Sequence, residues 1–169
     1  MALVPEDGSG LAAADTYASI LEADAYWSAH GSPSEWTSLT DAQKESALRY
    51  AATWMDSHYQ WLGTRTFPTV QARAWPRTGV TDPFWNLIPS SGAGSIPQSI
   101  KDLQAEAAKL YILFGPEIFF GRATGVSSKS AQGASITFAS GARPSSNWAA
   151  YLDFLARPYM QSLQVLFRA

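Results

Sequence analysis

Residues that could carry acid–base, nucleophilic or metal chemistry are few in this chain. The two histidines are His30 and His58, and His58 lies two residues after Asp56. One histidine beside one carboxylate is more often an ordinary polar surface pair than a catalytic or metal-binding site. The sequence contains no cysteine, which excludes disulfides, thiol catalysis and zinc–thiolate sites. We therefore predict that the protein is not an enzyme and uses no metal or cofactor.

The glycine-rich segment 91–94, Ser-Gly-Ala-Gly, is the one candidate for a phosphate-binding loop. It lacks the Lys-Ser or Lys-Thr pair of such a loop, and no strand is predicted before it. The chain also contains no Gly-x-Ser-x-Gly nucleophile elbow. Neither nucleotide binding nor serine hydrolysis is predicted.

The central part of the chain places arginines among aromatic residues. They are Arg65, Arg73 and Arg77 with Trp61, Phe67 and Trp75. Pro76 restricts its own φ and moves Trp75 out of the helical region, so the indole is held on a stiff, irregular segment. Two interpretations remain open: Trp75 fills the core of a small helical domain, or it faces a partner together with its flanking arginines. A small stacking site for single-stranded DNA is a further alternative.

Composition indicates a folded protein with an apolar surface. Of 169 residues, 15% are charged and 46% are apolar, which suits one domain and excludes a disordered chain. The pI near 5.6 and the scarcity of lysine argue against a protein that coats nucleic acid. We predict neither a secretory signal nor a membrane span, and expect synthesis in the cytoplasm.

The charges are unevenly distributed. Residues 1–60 hold nine acidic residues against Lys44 and Arg49, whereas residues 118–169 hold five basic residues against Asp153. The two ends either pair within the chain, or the basic end of one copy docks on the acidic end of the next.

The hydrophobic periodicity predicts a mainly α fold, a small helical bundle with a long ordered loop and one β-hairpin near the C-terminus. Helices are predicted at about 19–30 and 40–58, each after a capping box, and from Pro97 to Phe114 before Gly115. Glycines and prolines interrupt segment 61–95, which we expect to be an ordered loop. Its aromatic residues indicate that it is pinned rather than free: Trp61, Phe67, Trp75, Phe84 and Trp85.

The C-terminal part changes character. A hairpin is predicted at about 126–140 around Gln132 and Gly133, with Ile136 and Phe138 on one face. A two-stranded hairpin is marginal in water, so it needs support from its own domain or from another chain. A short helix from about residue 147 follows, Pro158 interrupts it, and segment 163–167 is apolar. Truncation after Pro158 is expected to leave the helical core intact.

Five segments, taken together and in chain order, resemble head-tail adaptor proteins of tailed bacteriophages. They are Leu-Val-Pro-Glu-Asp-Gly-Ser-Gly at 3–10, Thr-Tyr-Ala-Ser-Ile-Leu-Glu-Ala-Asp-Ala-Tyr at 16–26, Gln-Ala-Arg-Ala-Trp-Pro-Arg at 71–77, Ile-Pro at 96–97 and Leu-Ala-Arg-Pro-Tyr at 155–159. Some similar proteins are described instead as DnaT-like single-stranded-DNA-binding proteins. The resemblance implies one adaptor domain over residues 1–169, with a helical core at about 16–115, the hairpin at about 126–140, and a C-terminal helix and tail at about 147–169.

The resemblance also implies a structural role in the virion neck. Copies of the chain are expected to form a ring, expected to be dodecameric, under the portal protein and to bridge the filled head to the next neck or tail protein. Genomic DNA would only pass through the channel, and no membrane is involved. The expected interface residues are Trp75, Arg77, Ile136, Phe138, Trp148, Tyr159, Leu163, Leu166 and Phe167.

Two other functions stay open. One is a single-stranded-DNA-binding protein that uses the arginines and aromatic residues of the central loop. The other is a lectin-like binder that uses exposed tryptophans, although the sequence supplies no obvious carboxylate and amide partners for a sugar.

Overall fold

A computed structural model describes residues 2–116, 128–131, 134–137 and 147–161, and for 128–131, 134–137 and 147–149 it describes the backbone alone. The fold is mainly α, as predicted, with a small antiparallel hairpin. No helix in the described ranges is both long and apolar enough to cross a bilayer.

In the described part of the chain, five helices form the bundle. They are α1 (Ile20–Ala29), α2 (Ser34–Thr37), α3 (Asp41–His58), α4 (Gln98–Phe114) and α5 (Asn147–Ala156), and a 3-10 turn follows at Arg157–Tyr159. Both predicted capping boxes are present, since Ser19 caps α1 with Glu22 and Thr40 caps α3 with Gln43. Gly115 ends α4 with a φ of 76°, a conformation that favours glycine. The short α2 lies between the two helices predicted at about 19–30 and 40–58, where no helix was predicted.

Helix α4 is the central element, because it contacts all four other helices. Its buried side chains meet a face of α3 that is rich in alanine, which allows the two helices to approach closely. Tyr50 of α3 stacks on Tyr111 of α4, with ring centroids 4.3 Å apart. The apolar face of α3 is therefore used inside the chain.

Gln104 fastens α4 to two other parts of the fold. Its side chain is fully buried, and its amide oxygen accepts hydrogen bonds from the backbone N–H groups of Tyr17 (3.1 Å) and Ala18 (2.8 Å). Its amide nitrogen donates to the Leu48 carbonyl at 2.8 Å and to the Thr16 hydroxyl. All four hydrogen-bonding positions of the amide are thus used, as a buried polar group requires.

Glu6 organises the N-terminal segment in a similar way. Its carboxylate is buried and accepts hydrogen bonds from the N–H groups of Gly8 (3.0 Å), Gly10 (2.8 Å) and Leu11 (2.9 Å). Gly8 has a φ of 93°, and a Cβ there would lie 2.3 Å from the Gly92 carbonyl oxygen. The position therefore requires glycine, and the segment is held against the loop near residue 92.

Strands are short. β1 (Thr64–Arg65) pairs antiparallel with β2 (Arg77–Thr78) inside the long loop, a pairing that periodicity did not indicate. β3 (Ser128–Ala131) pairs antiparallel with β4 (Ala134–Thr137), with Ala131 opposite Ala134, which confirms the hairpin around residues 132 and 133.

The end of the described chain is part of the core, contrary to expectation. The Tyr159 ring is buried and meets Trp75 edge-on at 5.8 Å, and its hydroxyl accepts a hydrogen bond from Ser99 at 3.1 Å. The Tyr159 carbonyl accepts from the N–H of Leu62, and the Gln161 N–H donates to the Gln60 carbonyl. Truncation after Pro158 would remove these contacts, so the expectation that it leaves the core untouched was wrong.

Candidate functional site

Trp75 lies in the core of the chain. Its side chain is fully buried and contacts the Trp61 ring (centroids 6.1 Å apart) as well as Tyr159, and the Trp75–Pro76 peptide bond is cis. The first of the two interpretations of Trp75 therefore applies. Trp75 and Tyr159 were both expected at an interface, and this is corrected, because their buried rings offer no surface to a partner.

A buried polar network holds the backbone in front of Trp75. The Tyr17 hydroxyl accepts from the N–H groups of Ala74 (3.0 Å) and Trp75 (3.3 Å), and it donates to the Asp56 carboxylate. Arg73 reaches the same carboxylate at 3.4 Å. Burial raises the pKa of Asp56 and raises that of Tyr17 well above its ordinary value. The network fixes the loop on α3 and leaves no open acid–base pair.

Arg77 holds the start of the long loop, residues 61–63, against the middle of the loop. Its guanidinium donates to the carbonyl oxygens of Leu62 (2.6 Å) and Gly63 (2.7 Å), and also to Ala74 (3.1 Å) and Trp61 (3.4 Å). Burial lowers the pKa of this half-buried group. Its donors are therefore used inside the chain rather than held out to a partner.

The other two arginines of the loop are engaged as well. Arg73 donates to the Ala14 carbonyl and pairs with Asp56, and Arg65 donates to the Gln71 carbonyl. Trp61 is buried like Trp75, and Phe67 is half-buried. The structure thus does not form the predicted stacking site from these six residues: the cations bind carbonyls and carboxylates of the chain, and two of the rings face inward.

The remaining expected interface residues belong to the C-terminal part. Ile136 lies on β4 opposite Lys129 of β3, and Trp148 lies in the first turn of α5. Phe138, Leu163, Leu166 and Phe167 lie outside the described residues. The interface role of these six residues stays a prediction.

A surface that the sequence analysis missed lies at residues 81–87, here called the aromatic turn. Phe84 is 81% exposed, Trp85 is 86% exposed and Leu87 is 72% exposed. Phe84 and Trp85 were counted among the residues that pin the loop, and this is corrected, because both side chains project from it. The residues that flank it, Val80 and Ile88, are buried, so its base is anchored while its tip projects.

Asp82 shapes the aromatic turn. Its Oδ1 accepts from the N–H groups of Phe84 (2.8 Å) and Asn86 (2.9 Å), and its Oδ2 accepts from the Asn86 amide at 2.9 Å. These hydrogen bonds lower the pKa of Asp82, first through the Asn86 side chain. Trp85 sits at a φ of 68°, which a side chain this large rarely adopts. The signal in the sequence was the Asp-Pro start and the Asn at the end, both typical of turns.

Helix α5 carries a second exposed apolar surface, here called the α5 groove. This open groove, with a volume of about 540 Å³, is lined by Ala150, Asp153, Phe154, Arg157 and Met160. Phe154 is 66% exposed. Asp153 lies 3.7 Å from His58, whereas Arg157 is exposed and has no hydrogen-bond or ion-pair partner within the described ranges.

The other described cations are engaged within the chain. Lys44 pairs with Asp24, Arg49 with Asp15 and Glu45, and Lys101 with Glu22, while Lys109 lies over the Trp27 ring. No group of three or more His, Asp or Glu residues in the described part is placed to hold a metal.

Comparison with known proteins adds a family. Residues 1–168 match the family described as "Putative DnaT-like ssDNA binding protein". The chain belongs to this family. No curated protein and no solved structure matches it. The sequence analysis noted that some similar proteins are described as DnaT-like, and the match is to that family. The match gives no support to the head-tail adaptor identity itself.

Proposed function

We propose that this chain is a structural docking protein, a head-tail adaptor of the kind that its sequence resembles. One observation carries the proposal: the described cations are almost all engaged inside the chain, while large apolar side chains project from the aromatic turn and from α5. Exposed apolar side chains grouped on ordered elements are typical of surfaces that bind other proteins. The adaptor would act in the virion neck, without catalysis.

Charge argues for a protein partner over a nucleic acid. Non-specific binding of DNA depends on cations that neutralise phosphates. Between Thr78 and Ile100 the chain has no lysine or arginine, and this segment contains the entire aromatic turn and its Asp82 carboxylate. A phosphate backbone that crossed the turn would meet a negative charge rather than a positive one.

Binding of single-stranded DNA is the second candidate function, and two observations favour it. The family description names this activity. Phe84 and Trp85 are exposed, and bases can stack on exposed aromatic rings. The phosphate contacts would then come from basic residues outside the described ranges, such as Arg122, Arg143 and Arg168.

Two binding measurements on the same purified protein separate the candidates. The first is fluorescence anisotropy of a labelled single strand of about 20 nucleotides at about 50 mM and about 200 mM salt. The second is negative-stain imaging and native mass of the protein mixed with the portal protein of the same genome. We expect a complex with portal and no sub-micromolar binding of DNA.

Trp85→Ala serves both measurements, with Leu21→Ala as the matched control, because Leu21 is 79% exposed on α1 and lies far from the turn in sequence. Sub-micromolar DNA binding that weakens steeply with salt and is lost in Trp85→Ala alone would establish the second candidate. Absence of any complex with portal would contradict the adaptor proposal.

A further inference from the structure

The aromatic turn and the α5 groove differ in shape and charge in a complementary way. The turn is convex, anchored at its base by buried Val80 and Ile88, and its tip presents Phe84 and Trp85. The groove is concave, and Phe154 and Met160 contribute apolar surface to it. Within one chain neither surface covers the other, because Phe84, Trp85 and Phe154 are all largely exposed.

The charges at the two surfaces are also opposite. Asp82 lies at the start of the turn, and its Oδ2 accepts one hydrogen bond, so a lone pair remains for another donor. Arg157 borders the groove, and its guanidinium has no partner among the described residues. Arginine is suited to this position, because it binds a carboxylate with one edge and packs its planar face on an aromatic ring.

We infer that the aromatic turn of one copy inserts into the α5 groove of the next copy, with Trp85 against Phe154 and Asp82 near Arg157. This inference rests on the proposed function, since it names the contact between copies of the adaptor. Two different surfaces meet in this contact, so it is heterologous, and each copy keeps one free turn and one free groove. Contacts of this kind propagate and close into a ring when the rotation between copies allows it.

The turn is prepared for such a contact before binding. Asp82 and the hydrogen bonds of Asn86 fix the backbone at Phe84 and Trp85, so little freedom is lost when the tip is buried. Tryptophan and arginine are also the side chains that most often dominate binding at protein interfaces. Trp85 and Arg157 are therefore the residues to test.

Sedimentation velocity over a concentration series of the full chain tests the contact. Trp85→Ala disables the turn, while Phe154→Ala and, separately, Arg157→Glu disable the groove. All three side chains are exposed in the single chain, so each variant should keep the far-UV circular dichroism of the wild type. We expect each to weaken self-association at least about tenfold, and Leu21→Ala to leave it unchanged.

Mixing the variants shows whether the contact is heterologous. Trp85→Ala retains an intact groove and Phe154→Ala retains an intact turn, so an equal mixture can form one contact per pair. At a concentration low enough for each variant alone to be monomeric, we expect the mixture to form dimers that grow no further.

Several results would overturn the inference. The wild type could stay monomeric at every concentration. Trp85→Ala, or both Phe154→Ala and Arg157→Glu, could associate as strongly as the wild type. The mixture of Trp85→Ala and Phe154→Ala could form no dimers. A chain that ends at Gln161 and loses association as Phe154→Ala does would assign the contact to segment 162–169 instead. Binding to portal by a wild type that associates through other surfaces would overturn this contact alone and leave the proposed function in place.

Discussion

The Trp75 side chain illustrates how a single residue fixes the central loop. It is fully buried between Trp61 and Tyr159, and its indole N–H has no hydrogen-bond partner within the described part of the chain. We expect Trp75→Ala to lower the free energy of unfolding by about 3 to 5 kcal/mol, because it leaves a large cavity. Trp75→Phe keeps most of the ring and removes no hydrogen bond, so its loss should be markedly smaller. Urea denaturation followed by circular dichroism measures both, and equal stability of Trp75→Ala and wild type would contradict the core assignment.

Asp82 gives a prediction about pH. Its folded-state pKa is lowered, chiefly by the Asn86 side chain, so its contribution to the turn is present above the ordinary Asp value of about 3.9 and is lost as the pH falls through the lowered value. NMR titration of the Asp82 carboxyl carbon should give a midpoint below that ordinary value. Asn86→Ala should move the midpoint upward, whereas Ser9→Ala, which removes a hydrogen bond from Asp7 instead, should leave Asp82 unchanged. An unchanged midpoint in Asn86→Ala would show that the turn is held in another way.

At this scale the sequence predicted the stiffness around Trp75 but not the direction of the aromatic side chains. All three aromatic residues, Trp75, Phe84 and Trp85, lie in one aperiodic segment. Neither composition nor periodicity therefore distinguishes the buried ring from the exposed ones. Two of them project because Asp82 caps a local turn, and one is buried because Tyr17, far away in sequence, accepts its backbone N–H. Local turn chemistry was readable, whereas the Tyr17 contact depends on the tertiary fold.

At the scale of elements, residues 159–161 belong to the core. Truncation after Pro158 removes the buried Tyr159 ring and the backbone hydrogen bonds to Gln60 and Leu62, and we expect it to lower the free energy of unfolding by about 3 kcal/mol or more. Truncation after Gln161 keeps every described contact and serves as the comparison chain, so the chain that ends at Pro158 should be less stable than it by this amount. Thermal unfolding of the two truncated chains measures the difference. Equal melting temperatures would show that residues 159–161 do not belong to the core.

The helices could be predicted because their signals are local. Ser19 with Glu22, and Thr40 with Gln43, mark two helix starts within four residues, and Gly115 marks one end. The pairing of β1 with β2 could not be predicted in this way, because strands of two residues show no periodicity. The Arg77 side chain supports the pairing by donating to the Leu62 carbonyl, which lies 15 residues earlier in the chain. The fold class was therefore predicted correctly, while the strand pairing inside the long loop was not.

At the scale of the whole molecule, several acidic residues of segment 1–60 form ion pairs within the chain. Asp15, Asp24 and Glu22 pair with Arg49, Lys44 and Lys101, all of which precede residue 110. Among the ion pairs of the described ranges, the one that links this region to the C-terminal part is His58 with Asp153 at 3.7 Å. The alternative of intramolecular pairing thus accounts for these acids, and the partners that the described ranges show for them lie before residue 110. Arg157, which has no partner among the described residues, and the exposed apolar side chains of the aromatic turn and α5 are available for contacts between molecules.

Salt dependence should distinguish contacts of this kind from binding to phosphate. If copies associate through apolar side chains and one ion pair, the association constant should fall by less than about tenfold between about 50 mM and about 200 mM sodium chloride, because one exposed ion pair contributes little and screening removes only that part. Sodium sulfate should strengthen association, since it favours burial of apolar surface. Sedimentation of the wild-type chain in the two salts measures both effects. In Arg157→Glu the small chloride dependence should change sign, because salt then screens a repulsion between the introduced carboxylate and that of Asp82. A fall of a thousandfold or more over the same range, the size expected when many phosphates are neutralised, would contradict an apolar contact and indicate that co-purified nucleic acid holds the copies together.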